Sequence, residues 1–242
     1  MDNMQIFWGE THQNTYTHGQ QIPSMDETLT FAKSYLDFYT GAYYTPTSYP
    51  IPLRPGYINT APPQLIGHIS EQPLIPEDTW HGIRAEQIKD TVTLNREWAE
   101  FEKATVEHYN PGTFVTFPGY EWQGNGTWGD HNVIYKHEGL PIYTEMDLPA
   151  LYDRLRKVPA MAIPHHTAYH PGIRAPFWRH TDDKISPFSE IYSIHGCSET
   201  DEEWVGMRQN SHMGPTMGAS TYQSALDQGL HIGAICSTDN WT

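Results

Sequence analysis

Cysteine, long apolar runs and a signal peptide are scarce or missing in this 242-residue sequence. Its two cysteines, Cys197 and Cys236, cannot build a disulfide framework, and they do not form a Cys-x-x-Cys zinc motif. No apolar stretch reaches the length needed to cross a membrane. Residues 1–6 lack the basic and apolar regions of a signal peptide. We therefore expect no membrane partner and a cytoplasmic location, with the periplasm as the alternative if a leader has been removed.

Basic residues are also few. The chain has 14 lysines and arginines against 29 aspartates and glutamates, so its formal net charge is −15. A protein with this negative charge repels a phosphate backbone, and no run of basic residues offsets the repulsion. We therefore expect a small-molecule substrate and no nucleic-acid partner. The 14 histidines are many for this length and suit metal coordination. Nothing in the composition indicates an oligomeric state.

Helical patterns alternate with short apolar runs along the chain. Residues 23–36, 85–108, 147–158 and 220–229 have helical spacing or helix-start signals. Ser24 and Glu27 have the spacing of a capping box. Residues 40–80 are rich in Pro, Gly and Tyr and predict a long irregular insertion that could cover a site. We therefore expect one domain, residues 1–242, with an α/β fold and a parallel sheet.

Five apolar runs each end on a potential metal ligand. The runs are residues 6–8, 114–117, 161–163, 191–194 and 232–236, and the ligands that follow them are His12, Glu121, His165, His195 and Asp239. Runs of this length bounded by Gly or Pro predict buried strands. Because parallel strands joined by helices share one direction, their C-terminal ends meet on one face. Imidazole and carboxylate groups gathered there would bind a divalent ion such as zinc or manganese.

Two pairs of nearby residues refine this expectation. His12 and Asn14 are two apart, so in an extended strand their side chains point to the same side. His165 and His166 are adjacent, so strand geometry turns them to opposite sides and favours His165 as the ligand. We therefore expect His166 to lie behind the ligands or at the surface.

Six short motifs follow one another along the chain: Gly9–Thr15, Phe117–Trp122, Gly129–Tyr135, Ile163–His166, Glu190–Glu199 and Ser237–Asn240. In this order they resemble the PHP (polymerase and histidinol phosphatase) superfamily, and most closely a poorly characterised bacterial branch of it. The resemblance implies a distorted (β/α)7 TIM-like barrel with metal ions at the C-terminal ends of its strands. Because the chain stops just after Asp239, we expect a barrel that is truncated at its C-terminus.

The resemblance also implies roles for individual residues. His12 and Asp239 would bind a first ion. Glu121 would bridge that ion to a second one, whose site His165 and His195 would complete.

Three departures from the family pattern reduce the expected number of ions. Asn14 stands where PHP proteins usually have a second histidine, and its amide carbonyl would be a weaker metal ligand. Tyr43 and Tyr44 stand in place of an Asp-His pair, and Trp241 stands in place of a histidine. We therefore expect one or two divalent ions (zinc, manganese or iron) rather than three.

PHP proteins are mostly metal-dependent phosphoesterases, so the resemblance predicts a metal-dependent hydrolase of phosphoesters. A bound metal lowers the pKa of its water from about 15.7 toward about 7, which supplies hydroxide at neutral pH. His131, which would lie beside the ions as a further ligand or substrate contact, and His166 are the predicted catalytic residues, because an uncoordinated imidazole could transfer protons. The candidate cations for phosphate recognition are Arg54, Arg84, Arg174 and Arg179.

Two alternatives remain open. The lost ligands, together with 15 tyrosines and eight tryptophans, favour a degenerate barrel that binds a small ligand without turnover, since ring-bearing ligands stack on aromatic side chains. The other alternative is a metallohydrolase of amide or glycosidic substrates, because activated water attacks carbonyl and phosphoryl centres alike.

Overall fold

The computed structural model describes residues 4–17, 21–44, 89–124, 128–169, 171, 174–207 and 218–241. Most of the predicted irregular insertion lies outside these residues, as do Arg54 and Arg84. Within them, no helix combines the length and the apolar character that a membrane span requires.

The described residues form ten strands and four α-helices. The strands are β1 (Gly9–Thr15), β2 (Phe38–Tyr44), β3 (Val115–Phe117), β4 (Gly119–Trp122), β5 (His131–Tyr135), β6 (Ala160–Pro164), β7 (Phe188–Ser193), β8 (Gly196–Cys197), β9 (Gly233–Cys236) and β10 (Asn240–Trp241). The helices are α1 (Met25–Ala32), α2 (Thr91–His108), α3 (Leu148–Leu155) and α4 (Tyr222–Asp227). The fold is mostly β, with a modest helix content.

Side chains fix where the first two helices begin. The Ser24 hydroxyl accepts a hydrogen bond from the Glu27 backbone, and the Glu27 carboxylate accepts one from the Ser24 backbone, so the predicted capping box is confirmed. The Asp90 side chain caps α2, so this helix begins at Thr91, and residues 85–88 of the predicted helix lie outside the described residues. A capping aspartate satisfies an otherwise unpaired backbone N–H, which favours a helix start directly after it.

The expected distorted (β/α)7 barrel with a parallel sheet is wrong. The strands form a seven-stranded sheet in the order β10-β1-β2-β4-β5-β6, with β3 beside β2, and a three-stranded sheet in the order β8-β7-β9. β5 runs antiparallel to both β4 and β6, and no closed ring of strands is present in the described part of the chain. Residues 123–130 link β4 to β5, and this link is shorter than the roughly twelve or more residues that a parallel crossover needs.

The first strand begins later than predicted. Ile6, Phe7 and Trp8 are exposed, whereas Gly9–Thr15 is paired with β10 on one side and β2 on the other. Hydrogen bonds to a neighbouring strand on each side therefore hold the backbone of residues 9–15 in place. His12 consequently lies inside a central strand and not beyond the end of one.

Side chains alternate along β2 and β4 and so divide the sheet into two faces. Tyr43 and Tyr120 are paired across these strands and belong to the aromatic core beside α2. Their neighbours Tyr44 and Glu121 form the next pair and face the opposite side. We call that opposite side the inner face.

Helix α2 covers the aromatic face. Trp98 stacks on Phe101 with ring centroids 5.4 Å apart, and both rings lie against Tyr43. Trp98 Nε1 donates to the Leu140 carbonyl at 2.9 Å, so the polar edge of this indole is satisfied. Such large buried rings contribute much of the apolar burial that holds this side of the sheet together.

Lys89 anchors the start of α2 to the sheet. Its ammonium group pairs with Glu97 at 2.9 Å and donates to the Tyr43 hydroxyl at 3.2 Å. It also donates to the carbonyls of Tyr16 at 2.7 Å and Tyr44 at 3.1 Å, next to the ends of β1 and β2. Tyr43, which stands where the family pattern has a metal ligand, therefore belongs to this buried ion pair and not to the inner face.

We predict that Phe101→Ala lowers the free energy of unfolding by about 3–5 kcal/mol, because its fully buried ring would leave a cavity. Phe31→Ala on α1 is the matched control. The Phe31 ring is 67% exposed, and its removal should change the stability by less than about 0.5 kcal/mol. Urea denaturation measures both effects, and equal losses would contradict the placement of Phe101 in the core.

Candidate metal centre

Eight histidine and acidic side chains gather on the inner face, and we call them the His/carboxylate cluster. Its members are His12, Glu121, Asp130, His165, His166, Glu190, His195 and Asp239. Seven of them are at most 3% exposed, and the His195 side chain is 12% exposed. So many buried ionisable groups in one place are typical of a functional site.

The cluster contains four overlapping triads whose potential ligand atoms all lie within 4.8 Å of one another. The triads are His12–Glu121–His165, His12–Glu190–Asp239, His166–His195–Asp239 and Asp130–His165–His166. Four residues are each shared by two triads, so the triads form one continuous group.

His12 lies at the centre of the cluster. Its Nδ1 is 2.8 Å from Glu190 Oε2, and its Nε2 is 3.2 Å from Asp239 Oδ1. Burial alone would lower the pKa of His12, but Asp239 and Glu190 together raise it well above 6.5. Burial also raises the pKa of Glu190 to about 7, although His12 opposes that shift. Without a metal ion the carboxylates therefore favour the protonated form of His12, and a metal bound at Nε2 would displace that proton.

Glu121 joins His12 to His165. Its Oε2 lies 3.8 Å from His12 Nε2, and its Oε1 lies 3.8 Å from His165 Nε2. Gln123 Nε2 donates to Oε1 at 2.7 Å and helps to hold the carboxylate in place. Burial would raise the pKa of Glu121, but His12 and His165 lower it well below 4.5. A carboxylate with an imidazole near each oxygen can complete a set of three ligands for an ion.

The expectation that His165 and His166 face opposite sides is wrong. His166 has a φ of 38°, in the left-handed region, which interrupts the strand alternation just beyond β6. The two rings therefore reach the same cluster with centroids 4.4 Å apart, and His166 Nε2 lies 3.4 Å from Asp130 Oδ2. Burial lowers the pKa of His165 to about 4 and that of His166 well below 6.5, so both rings are neutral near pH 7.

Asp239 is a second cluster residue with left-handed backbone, at φ 50°. Its N–H donates to the His12 carbonyl at 2.7 Å, and its Oδ2 lies 3.1 Å from His195 Nε2. Burial would raise the pKa of Asp239, but His12 and His195 lower it well below 3.8. Asn14 Nδ2 donates to Asp239 Oδ1 at 3.0 Å. Asn14 thus reaches the cluster through its amide nitrogen, in a position to orient Asp239.

His131 lies on the aromatic face. It is paired with Trp122 across β4 and β5, and the two ring centroids are 5.8 Å apart. Burial lowers the pKa of His131 to about 4. The next residue, Asn132, is paired with Glu121 and faces the inner side. Both side-chain polar atoms of Asn132 are buried without a hydrogen-bond partner among the described residues, so it is a candidate that the motifs did not indicate.

Two cluster members, Glu190 and Asp130, are not among the predicted site residues. Glu190 lies within β7 and is 1% exposed. An acidic residue inside an apolar run is a signal that could have identified it, because a buried carboxylate needs a partner. Asp130 pairs with Arg174, and no sequence spacing connects these two residues.

The structure brings together the five residues that follow the apolar runs, and it places His166 and Asn14 with them. Of the predicted cations, Arg174 contacts the cluster through Asp130, whereas Arg179 is exposed. The side chain of Trp241 lies outside the described part of the chain, and its backbone is paired with Asn14.

Several ring nitrogens of the cluster are buried without a hydrogen-bond partner among the described residues. They are His166 Nδ1, both nitrogens of His165, and His12 Nε2, whose 3.2 Å contact with Asp239 Oδ1 does not have the geometry of a hydrogen bond. Buried polar atoms in native proteins are nearly always paired, so these nitrogens indicate another kind of partner. Imidazole nitrogens and carboxylate oxygens are the donors that zinc, manganese and iron take in proteins. The donor set therefore fits a divalent transition-metal ion.

Residues 64–172 match a family model described as a protein of unknown function, DUF3604. The matched segment is less than half of the chain, and it contains Glu121, Asp130, His165 and His166 from the cluster. No curated protein matches the chain.

We predict that Glu121→Gln weakens manganese binding by at least about 100-fold and Asn14→Ala by no more than about tenfold. A carboxylate between two imidazoles supplies negative charge to a cation, whereas an amide at the edge of the cluster supplies only a dipole. Titration of both variants with manganese decides the question. Equal affinities in the two variants would contradict a bridging role for Glu121.

We further predict that Glu190→Gln weakens metal binding by about 10- to 100-fold. Glu190 Oε2 accepts a hydrogen bond from His12 Nδ1, which leaves Nε2 as the ligand atom and makes the ring more basic. The exposed Glu138→Gln variant is the matched control and should bind as tightly as the parent protein. Competition against a metal-sensitive fluorescent chelator measures both affinities. An unchanged metal affinity in Glu190→Gln would contradict the proposal that Glu190 orients His12.

Proposed function

We propose that the protein is a metal-dependent hydrolase that cleaves phosphoesters of small molecules. The observation that carries this proposal is the continuous His/carboxylate cluster, whose buried ring nitrogens lack hydrogen-bond partners among the described residues. The resemblance of the ordered motifs to PHP phosphoesterases supports the reaction class.

One or two divalent ions would be held by this cluster. The triad His12–Glu121–His165 offers one set of ligands, and the triad His166–His195–Asp239 offers another. These triads share no residue, so each could bind an ion without competing for the ligands of the other. When bound, a divalent ion supplies a water of lowered pKa and neutralises charge on the substrate.

The residues around these triads orient them. Glu190 holds His12 through Nδ1 at 2.8 Å, and Gln123 holds Glu121 at 2.7 Å. The Tyr169 hydroxyl lies 2.9 Å from His195 Nδ1. Partners of this kind fix the tautomer and rotamer of the groups that bind a metal.

His195 has the geometry that suits proton transfer best among the described cluster residues. Its side chain is 12% exposed, whereas those of His165 and His166 are 1% exposed. Its two ring nitrogens contact Asp239 and the Tyr169 hydroxyl, so a proton could pass between the cluster and that hydroxyl. The catalytic roles predicted for His131 and His166 remain predictions.

The test combines metal analysis with a substrate screen. The purified protein is loaded with manganese, zinc or iron, its metal content is measured, and phosphomonoesters, phosphodiesters, amides and glycosides are assayed. We expect at least one ion per chain and metal-dependent release of phosphate or alcohol from a phosphoester. Metal below stoichiometry under every loading condition would overturn the proposal. Hydrolysis of amides or glycosides but not of phosphoesters would show that the protein is a metallohydrolase of those substrates instead.

We predict that a chelator lowers the melting temperature by about 5–10 °C. An ion at 100 times its Kd stabilises the folded state by about 2.7 kcal/mol, and 1 kcal/mol corresponds to about 2–4 °C for a chain of this size. Glu121→Gln is the control, since a variant that binds metal weakly should show a much smaller shift. Thermal unfolding with and without chelator measures the effect, and equal melting temperatures for the loaded and stripped parent protein would contradict it.

A further inference from the structure

Arg174 is a buried cation that contacts the His/carboxylate cluster. It is 9% exposed, and its Nη2 donates to Asp130 Oδ2, which also lies 3.4 Å from His166 Nε2. Among the described lysines and arginines, Arg174 alone forms an ion pair with a member of the cluster. Its φ of 63° is in the left-handed region, and strained backbone of this kind is common where a side chain is held for a function.

Only some of the hydrogen-bond donors of the Arg174 guanidinium group have acceptors among the described residues. Arg174 Nε is buried without a hydrogen-bond partner among the described residues. Lys89, whose side chain is 9% exposed, differs in this respect, because its ammonium group has Glu97 and two backbone carbonyls as acceptors. A structural counter-ion for Asp130 would be expected to use its donors in the same complete way. The unused donor of Arg174 therefore indicates an acceptor that comes from outside the described protein.

The charges in the cluster indicate the sign of that acceptor. In the deprotonated state that metal binding requires, the histidines are neutral, so the four carboxylates and the guanidinium group carry three net negative charges, which two divalent ions would convert to one positive charge. A cation beside bound metal ions is unfavourable unless an anion lies close to both. The planar guanidinium fork matches the oxygens of a phosphoryl group, to which it can donate two parallel hydrogen bonds.

We propose that Arg174 anchors the phosphoryl group of the substrate and so determines specificity for phosphoesters over uncharged amides and glycosides. This inference rests on the proposed hydrolase function and adds a recognition residue to it. In this arrangement Asp130 holds one side of the guanidinium group, and the remaining donors bind the substrate.

The test measures binding of inorganic phosphate to the manganese-loaded full chain by calorimetry, in the parent protein and in Arg174→Gln and Arg174→Lys. Arg179→Gln is the matched control, because Arg179 is exposed. We expect the Kd for phosphate to rise at least about tenfold in Arg174→Gln, less in Arg174→Lys, and not at all in Arg179→Gln. Metal content should be the same in all four proteins.

A second probe separates anion recognition from a purely structural role. A simple hydroxamate binds metal ions but has no phosphoryl group, so its Kd should be unchanged in Arg174→Gln. Equal weakening of hydroxamate and phosphate binding would overturn the proposal, as would unchanged phosphate binding in Arg174→Gln. If Arg174→Gln does not fold, Arg174→Lys decides: a rise in Kd of about threefold or more supports the anchor, and an unchanged Kd overturns it.

The failure of this inference is distinguishable from failure of the hydrolase proposal. A parent protein that binds metal but not phosphate would overturn the role of Arg174 and leave a metallohydrolase of another substrate class. A parent protein that binds no metal under any condition would overturn the proposed function itself.

Discussion

The repulsion among four buried carboxylates is the constraint on which this structure depends. Glu121, Asp130, Glu190 and Asp239 are each at most 3% exposed, and ionised carboxylates in such surroundings are costly unless cations lie beside them. Arg174 and the protonated form of His12 provide that compensation, and the carboxylates raise the pKa of His12 although its ring is completely buried. Bringing these groups together also requires left-handed backbone at His166, Arg174 and Asp239, which costs roughly 1–3 kcal/mol at each position.

The aromatic face offsets these costs from the other side of the same strands. Along β4, Tyr120 and Trp122 pack into the core while Glu121 between them faces the cluster. In β4 the residue that carries the unfavourable charge is therefore flanked by two residues that bury large rings. Stability and chemistry are divided between the two faces, so a change on one face need not alter the packing of the other.

The sequence could predict the donor atoms of the site better than the fold that holds them. His12, Glu121, His165, His195 and Asp239 stand after apolar runs, and this pattern depends only on local chain order. The pattern of apolar runs does not determine strand direction, so it could not predict the fold. The direction of β5 depends instead on the short link at residues 123–130. The face on which His131 lies could not be predicted for the same reason. Successive residues of β5 point to opposite faces, so His131 lies on the aromatic face and Asn132 on the inner face. The position of the His166 ring among the ligands could not be predicted, because strand alternation does not apply to a left-handed residue just beyond a strand.

The contacts of Lys89 also bear on how this protein can vary in length. Its ammonium group binds the carbonyl of Tyr44, so the residues on either side of the segment 45–88 are held together independently of that segment. When the two ends of a loop are held together, each doubling of the loop length raises the entropic cost of closing the loop by only roughly 0.6 kcal/mol. Relatives could therefore lengthen or shorten this segment over a wide range while β1, β2 and α2 keep their positions.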